Sequence, residues 1–163
     1  MEYNIRKFEI EDIKKLQPIF EEGDRFHYDL EPERYNSPKT ITRNEEFFKD
    51  YYTNKEKALF VAERKDNFEI VGHINGQICN TAGHPVFRDM KYGFVSNIVV
   101  KSNYHRKGIA TLLLQKMQEW FLENNTEEIQ LGVVAQNIAA YRLYEKLGYK
   151  TNIYRMIKSL KDF

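Results

Sequence analysis

A single cysteine, Cys79, is all that this chain carries. That excludes an intrachain disulfide and any cysteine-rich metal site, and it fits a reducing compartment. Neither sign of charge is in excess: 25 Lys and Arg stand against 24 Asp and Glu, for a net charge of +1. The basic field of a dedicated nucleic-acid binder is therefore missing. No apolar run approaches the roughly 20 residues of a membrane-spanning helix. The opening Met1-Glu-Tyr-Asn-Ile-Arg lacks the basic stretch and apolar core of a signal peptide. A cytoplasmic chain with no nucleic-acid or membrane partner is expected. The common nucleotide loops, G-x-x-x-x-G-K-S/T and G-x-G-x-x-G, are both absent. So are repeats, low-complexity segments and linkers. What is present is enough for a sizeable core: 163 residues, 42% hydrophobic and 14% aromatic, which suits one domain over residues 1–163.

Hydrophobic spacing outlines the elements. Tyr3 to Phe8 alternates like a short strand. Asp12 is placed to cap a helix presenting Ile13, Leu16 and Phe20, which Pro18 should kink or shorten. Gly23 to Pro38 reads as a loop with Asp24, Asp29, Glu31 and Glu33 among aromatics. Thr42 to Glu45 matches a capping box ahead of Phe47, Phe48, Tyr51 and Tyr52. Leu59–Glu63 and Glu69–Ile74 read as strands around a turn, and 75–91 is ambiguous. Strands are expected at 92–100 and 129–134, with a long helix between them marked by Ile109, Leu112, Leu113, Met117, Trp120 and Phe121. Asn137 to Leu147 reads as a second helix stopped by Gly148, and Ile153 to Ile157 as a final strand. Early strands followed by β–α–β–α–β predict an α/β sandwich, a mixed sheet with helices on both faces.

The strongest local signal is Tyr104-His-Arg-Lys-Gly-Ile-Ala-Thr-Leu-Leu-Leu114, directly after the strand Phe94-Val-Ser-Asn-Ile-Val-Val100. A helix start leaves backbone amides without partners and carries about half a positive charge. Gly108 and Ala110 keep that backbone accessible, and His105, Arg106 and Lys107 add positive character. The combination suits a phosphate or pyrophosphate.

This stretch resembles the coenzyme A pyrophosphate loop of the GNAT superfamily of N-acetyltransferases, Gln/Arg-x-x-Gly-x-Gly/Ala, with His105 in the first position. Asn137-Ile-Ala-Ala-Tyr-Arg-Leu-Tyr-Glu-Lys-Leu-Gly-Tyr149 resembles the family's second signature, N-x-x-A-x-x-L-Y-x-x-x-G-F/Y, at the right separation. Val71–Ile74 is similar to the third strand of the family, and Arg6 to Asp12 fits its R-x-x-x-x-x-D opening.

The resemblance implies a GNAT-like α/β sandwich whose mixed sheet is splayed at the cofactor site by a strand bulge. It implies acetyl-CoA as cosubstrate and no metal. The backbone of Ile98, Val99 and Val100 would then pair with the pantetheine arm. The pyrophosphate would rest on His105, Arg106, Lys107, Gly108, Ile109 and Ala110, with the Thr111 hydroxyl and the Asn137 side chain adding contacts. Tyr144 matches the general acid of the family, protonated at neutral pH and able to donate to the departing thiolate. No carboxylate base stands in the corresponding strands, where Ser96, Asn97 and Gly132 occur. His73, His84 and His105 are the candidates by chemistry, and none is assigned. The implied activity is transfer of acetyl to a primary amine of a small molecule. A protein N-terminus or lysine is the alternative acceptor, and a non-catalytic acyl-CoA sensor is the alternative of another class. A homodimer is possible, with Phe47-Phe48 and Tyr51-Tyr52 as either core or dimer surface.

Overall fold

Arg6 and Asp12 lock the start of the chain. Both guanidinium nitrogens of Arg6 bond the buried Asp12 carboxylate, at 2.6 and 3.0 Å, and the same group bonds Glu63 Oε1 at 2.6 Å. Burial pushes the Asp12 carboxyl up, but the Arg6 hydrogen bonds and the Glu9 amide more than offset it and hold it below its ordinary value. Asp12 thus ties β1 (Tyr3–Lys7) to the first helix, and it does not cap that helix with its side chain.

The computed structural model describes residues 2–38 and 43–160. Contacts divide the chain at Gly132 into two compact units. The first unit holds β1, α1 (Ile13–Leu30), α2 (Glu45–Thr53), β2 (Lys57–Arg64), β3 (Ile70–Asn80), β4 (Lys91–Val100), α3 (Ile109–Glu123) and β5 (Glu128–Leu131). Its strands form one sheet in the order β1-β2-β3-β4-β5. The first four are antiparallel neighbours and β5 runs parallel to β4. The second unit holds α4 (Ile138–Lys146) and the extended chain after it.

Successive strand residues point to opposite faces, and this sorts the helices. Asn75 donates to the Tyr51 hydroxyl of α2 at 2.8 Å. Its neighbour Gly76 faces Phe121 and Met117 of α3. Helices therefore cover both faces of the sheet. On the α1/α2 face, Phe8, Leu16, Ile19, Phe20, Phe48, Leu59 and Val61 form one buried cluster. On the other, Gly93 lies against the Phe121 ring, 2.5 Å from where a Cβ would stand, so any side chain there would displace α3.

Several expectations are corrected. Gly23–Pro38 is not a loop throughout, because α1 runs on through Pro18 to Leu30. Gly23 belongs to its buried side, where Val99 of β4 would crowd any Cβ at 2.6 Å. The helix continues because it can pack closely there, which local composition does not report. The capping box at Thr42 falls outside the described residues; Asn44 caps α2, its side chain accepting from the Phe47 amide at 2.9 Å. Phe48 and Tyr51 are core, whereas Tyr52 is exposed. The ambiguous stretch after Ile74 continues β3 to Asn80. Residues 153–157 form no strand. Among the described residues no helix is long and apolar enough to cross a membrane.

His73 sits in the middle of β3 with 0% exposure. Its ring lies on Phe20, centroids 3.9 Å apart, and neither nitrogen has a hydrogen-bond partner among the described residues. Burial, with a smaller push from Arg43, lowers its pKa to about 3. An unfolded histidine takes up a proton near pH 6.5, so stability is fully present above that pH and is lost as pH falls toward 3. The pH-dependent loss from this one group reaches roughly 5 kcal/mol. Thermal melts from pH 7 to pH 4 should show a steep decline in the wild type and a visibly flatter one in His73→Leu; parallel curves would refute a neutral buried imidazole.

Candidate active site

The register of β3 and β4 slips once: Asn75 faces Asn97, yet Gly76 faces Val95. Ser96 is the additional residue, a β-bulge. The bulge inverts the alternation of β4, so Val99 meets α1 while Val95, an even-numbered step away without it, faces the α3 side. β5 pairs with β4 only along Tyr92–Val95. From Ser96 to Val100, β4 has no strand neighbour on that side among the described residues. Backbone groups of Ile98 and Val99 thus lie on an open edge, the arrangement an amide-bearing ligand needs to add as a strand. The Val100 carbonyl is already engaged, accepting from His105 Nε2 at 2.7 Å.

That bond shapes the following loop. His105 is held at the strand end by its ring and by its own amide, which donates to Ser102 at 3.1 Å. Open amides therefore begin after it. Arg106 and Gly108 both take left-handed backbone, with φ of 60° and 78°. Such left-handed steps turn successive amides to one side, as in an anion-binding nest. Gly108 is the N-cap of α3, and a Cβ there would meet nothing within 4 Å. The need for glycine is conformational, and the space above the helix start is open. Ile109, Ala110 and Thr111 occupy the first turn, where amides lack intrahelical acceptors. Leu112 is the first to bond back, to Gly108 at 3.1 Å.

A polar brace holds the loop from below. Arg64 donates to the Tyr104 hydroxyl at 3.0 Å, and that hydroxyl donates to Glu69 Oε2 at 2.7 Å. Lys101 Nζ bonds Glu69 Oε1 at 2.8 Å. Lys101 first, then Tyr104, hold the Glu69 carboxyl below its ordinary value. The Lys107 ammonium lies over the Tyr104 ring at 4.9 Å, a cation–π contact. α1 joins from its side, Glu22 accepting from the Ser102 amide at 2.7 Å.

In the second unit, Asn137 caps α4 by accepting from the Ala140 amide at 3.1 Å. Its amide nitrogen is still able to donate. Tyr144 is the buried residue of α4, with the Tyr149 ring 5.8 Å away. Burial, then Tyr149, pushes its phenol up to about 12.

The histidines separate clearly. His73 is sealed under Phe20 and meets no solvent. His84 is local to its turn, its Nδ1 accepting from the Val86 and Phe87 amides at 3.2 and 3.4 Å. His105 holds the loop. Of the acidic residues in 23–38, Asp24 forms a paired bond with Arg43, both contacts 3.0 Å. Sequence reasoning named His73 and Asn97 separately but missed Asn75 and the row that the three form on the α1/α2 face. Only the cross-strand register brings Asn75 and Asn97 together, and no sequence pattern reports register. It also missed the brace, whose members lie far apart in sequence. Among the described residues, no group of three His, Cys, Asp or Glu could hold a metal ion.

The Tyr104 hydroxyl is both acceptor and donor in the brace, so Tyr104→Phe should lower stability by about 1–3 kcal/mol in urea denaturation; no change in the midpoint would show that the brace is ornamental.

Comparison with known proteins places this geometry. The profile of the Acetyltransferase (GNAT) family matches residues 24–149, across both units. An N-alpha-acetyltransferase of Sulfurisphaera tokodaii is 38% identical over 109 residues, 64% of this chain and 63% of that protein. The chain thus spans less than two thirds of that relative's own length. A mutant protein from Bacillus halodurans superposes with a TM-score of 0.90 at 18% identity, covering 96% of this chain and 99% of its own. AAC(6')-Iy, solved with a bisubstrate CoA analogue, superposes with a TM-score of 0.69 at 13% identity and covers 99% of both chains. With a family profile matching residues 24–149, most of its length, the chain belongs to the Acetyltransferase (GNAT) family.

Proposed function

We propose that this chain transfers an acetyl group from acetyl-CoA to a primary amine of a small molecule by direct attack, with Tyr144 as general acid. The observation that carries the reading is the pair of left-handed residues, Arg106 and Gly108, opening α3 next to the unpaired end of β4. Acetyl-CoA fits these residues. Its pyrophosphate matches the outward amides from Arg106 to Thr111, its amide-bearing arm matches the open edge at Ile98 and Val99, and the Cβ-free space over Gly108 leaves room for the approach. The donor supplies an activated thioester. We take residues 1–163 as a single N-acetyltransferase domain, a reading supported by a family match that runs through both units. One cysteine and no membrane-crossing helix among the described residues favour the cytoplasm.

The chain's own groups divide the work. Amides at the open edge near Ile98 and Val99 polarise the thioester carbonyl. The neutral amine attacks the carbonyl carbon, the C–N bond forms and the C–S bond breaks. The electron pair leaves on sulfur, which takes a proton. In this reading Tyr144 supplies that proton. With its phenol held near 12, it keeps the proton until charge develops on sulfur. No base is assigned among the residues, since His73 is sealed in the core and His84 and His105 are hydrogen-bonded elsewhere; the attacking nitrogen sheds its proton to water, and Tyr144 regains its own from solvent.

A small-molecule acceptor is supported by AAC(6')-Iy, whose ligand carries an acetylated amine. A peptide α-amine is the second reading, favoured by the N-alpha-acetyltransferase at 38% identity. Thiol release from acetyl-CoA, followed against polyamines, aminoglycosides, amino acids and short peptides, should appear with the small amines. Turnover with peptides only would replace the first reading by the second. A thermal shift with acetyl-CoA but no turnover anywhere would leave a sensor.

Tyr144→Phe should lower kcat by about 10²-fold or more with acetyl-CoA affinity kept; an unchanged kcat removes it from the mechanism. Gly108→Val forces a β-branched residue to φ of 78°. It should weaken acetyl-CoA binding at least tenfold by calorimetry, and unchanged affinity would dismiss the loop as the pyrophosphate site.

A further inference from the structure

Two amide side chains face each other on the α1/α2 side of the sheet with their oxygens unused. Asn75 of β3 is 2% exposed. Its Nδ2 donates to the Tyr51 hydroxyl, but its Oδ1, at the other end of the planar amide, has no partner among the described residues. Asn97 stands directly opposite on β4, and its buried Oδ1 has no partner among the described residues either. Native proteins seldom bury such groups unpaired, and two as cross-strand neighbours point to a ligand that completes them. Side chains so paired lie about 5 Å apart at Cβ, so one small group bearing two hydrogens can serve both oxygens. An amide oxygen only accepts, so that group must donate. Its place is also informative: Asn97 immediately precedes Ile98 and Val99, whose backbone lies on the open edge of β4.

Nothing near this pair offers negative charge to a cation. Neither β3 nor β4 contains an acidic residue. On the elements that pack over this face, Asp24 is paired with Arg43 and Asp50 with Lys57, while Glu22 accepts the Ser102 amide. His73, two residues before Asn75, is neutral, and Arg43 adds to the burial that keeps it so. The local field therefore opposes a further cation. An ammonium entering here would be a charge taken from water without a counter-ion, which is costly.

We propose that Asn75 and Asn97 form the subsite for the acceptor nitrogen, and that it takes a primary amine in its unprotonated form, selecting weakly basic amines over strongly basic ones. This rests on the acetyl-transfer reading and names the class of acceptor within it. A neutral primary amine has two N–H groups and one lone pair. The two hydrogens go to the two Oδ1 atoms, and the lone pair is left for the thioester carbon. Once the C–N bond has formed and the C–S bond has broken, nitrogen gives one of those protons to water. An ammonium has no lone pair to attack with. At pH 7 roughly one α-amine in ten is unprotonated, against about one lysine-type amine in 2,500.

Thiol release from acetyl-CoA, followed from pH 6.5 to 10 with an amino-acid amide and with a lysine blocked at its α-amine, tests the selection. At pH 7, kcat/KM for the amide should exceed that for the blocked lysine by about 10²-fold, and the gap should close as pH approaches 10. Asn97→Asp supplies the missing charge and should lower KM for the blocked lysine at pH 7 by about tenfold or more. Asn97→Leu removes one acceptor and should raise KM for the amide by about tenfold or more. Both variants should keep the wild-type affinity for acetyl-CoA by calorimetry, the sign that the fold and the cofactor loop are intact. Equal efficiency with the two amines at pH 7, or KM values unmoved by both substitutions, would overturn the subsite and leave acetyl transfer standing. No thiol release with any primary amine across the pH range would overturn acetyl transfer and the subsite with it.

Discussion

The pairing of β4 with β5 ends at Val95, and the site proposed for this chain depends on that ending. A parallel neighbour that continued to Val100 would close every backbone group of β4. The single additional residue at Ser96 twists the strand out of register with β3, and β5 does not follow. What remains is a strand end with one side zipped to β3 and the other side open among the described residues. An open edge exposes backbone donors and acceptors with which another extended segment can pair.

The bulge also sets what the two faces carry. After it, Val99 packs into α1 so closely that Gly23 is required opposite, and Asn97 comes to stand beside Asn75. Before it, Gly93 leaves room for the Phe121 ring on the other face. Close helix approach on both faces makes the strand end rigid. The loop that follows inherits that rigidity through His105, whose ring is fixed to the Val100 carbonyl, and through the Tyr104–Glu69–Arg64 brace. A helix start binds an anion well only if its amides are already aimed, because ordering them on binding would subtract from affinity. Here the aim is fixed by covalent geometry at Arg106 and Gly108 and by hydrogen bonds beneath them.

His73 illustrates how tertiary position decides chemistry. Histidine titrates near neutrality in water and is the commonest general base. Under Phe20, with no partner for either nitrogen, the same ring is neutral and inert. The cost of keeping it unpaired is one of stability at low pH, set against the packing of its ring on Phe20.

By itself the sequence determined the order of most elements, the glycine turn that opens α3, and a second helix starting at Asn137 and carrying Tyr144. These are local: a glycine for φ of 78°, an asparagine accepting three residues ahead, an apolar repeat near 3.6. It also announced the Arg6–Asp12 pair, though not its role of joining strand to helix. Only the tertiary structure decided where β4 loses its partner, since register is a relation between strands and leaves no mark in either one. The same holds for the brace of Arg64, Glu69, Lys101 and Tyr104, and for the length of α1 past Gly23, which depends on Val99. The segment at 153–157 has the composition of a strand and forms none. A strand exists only with a neighbour, and the neighbour is a matter of three dimensions.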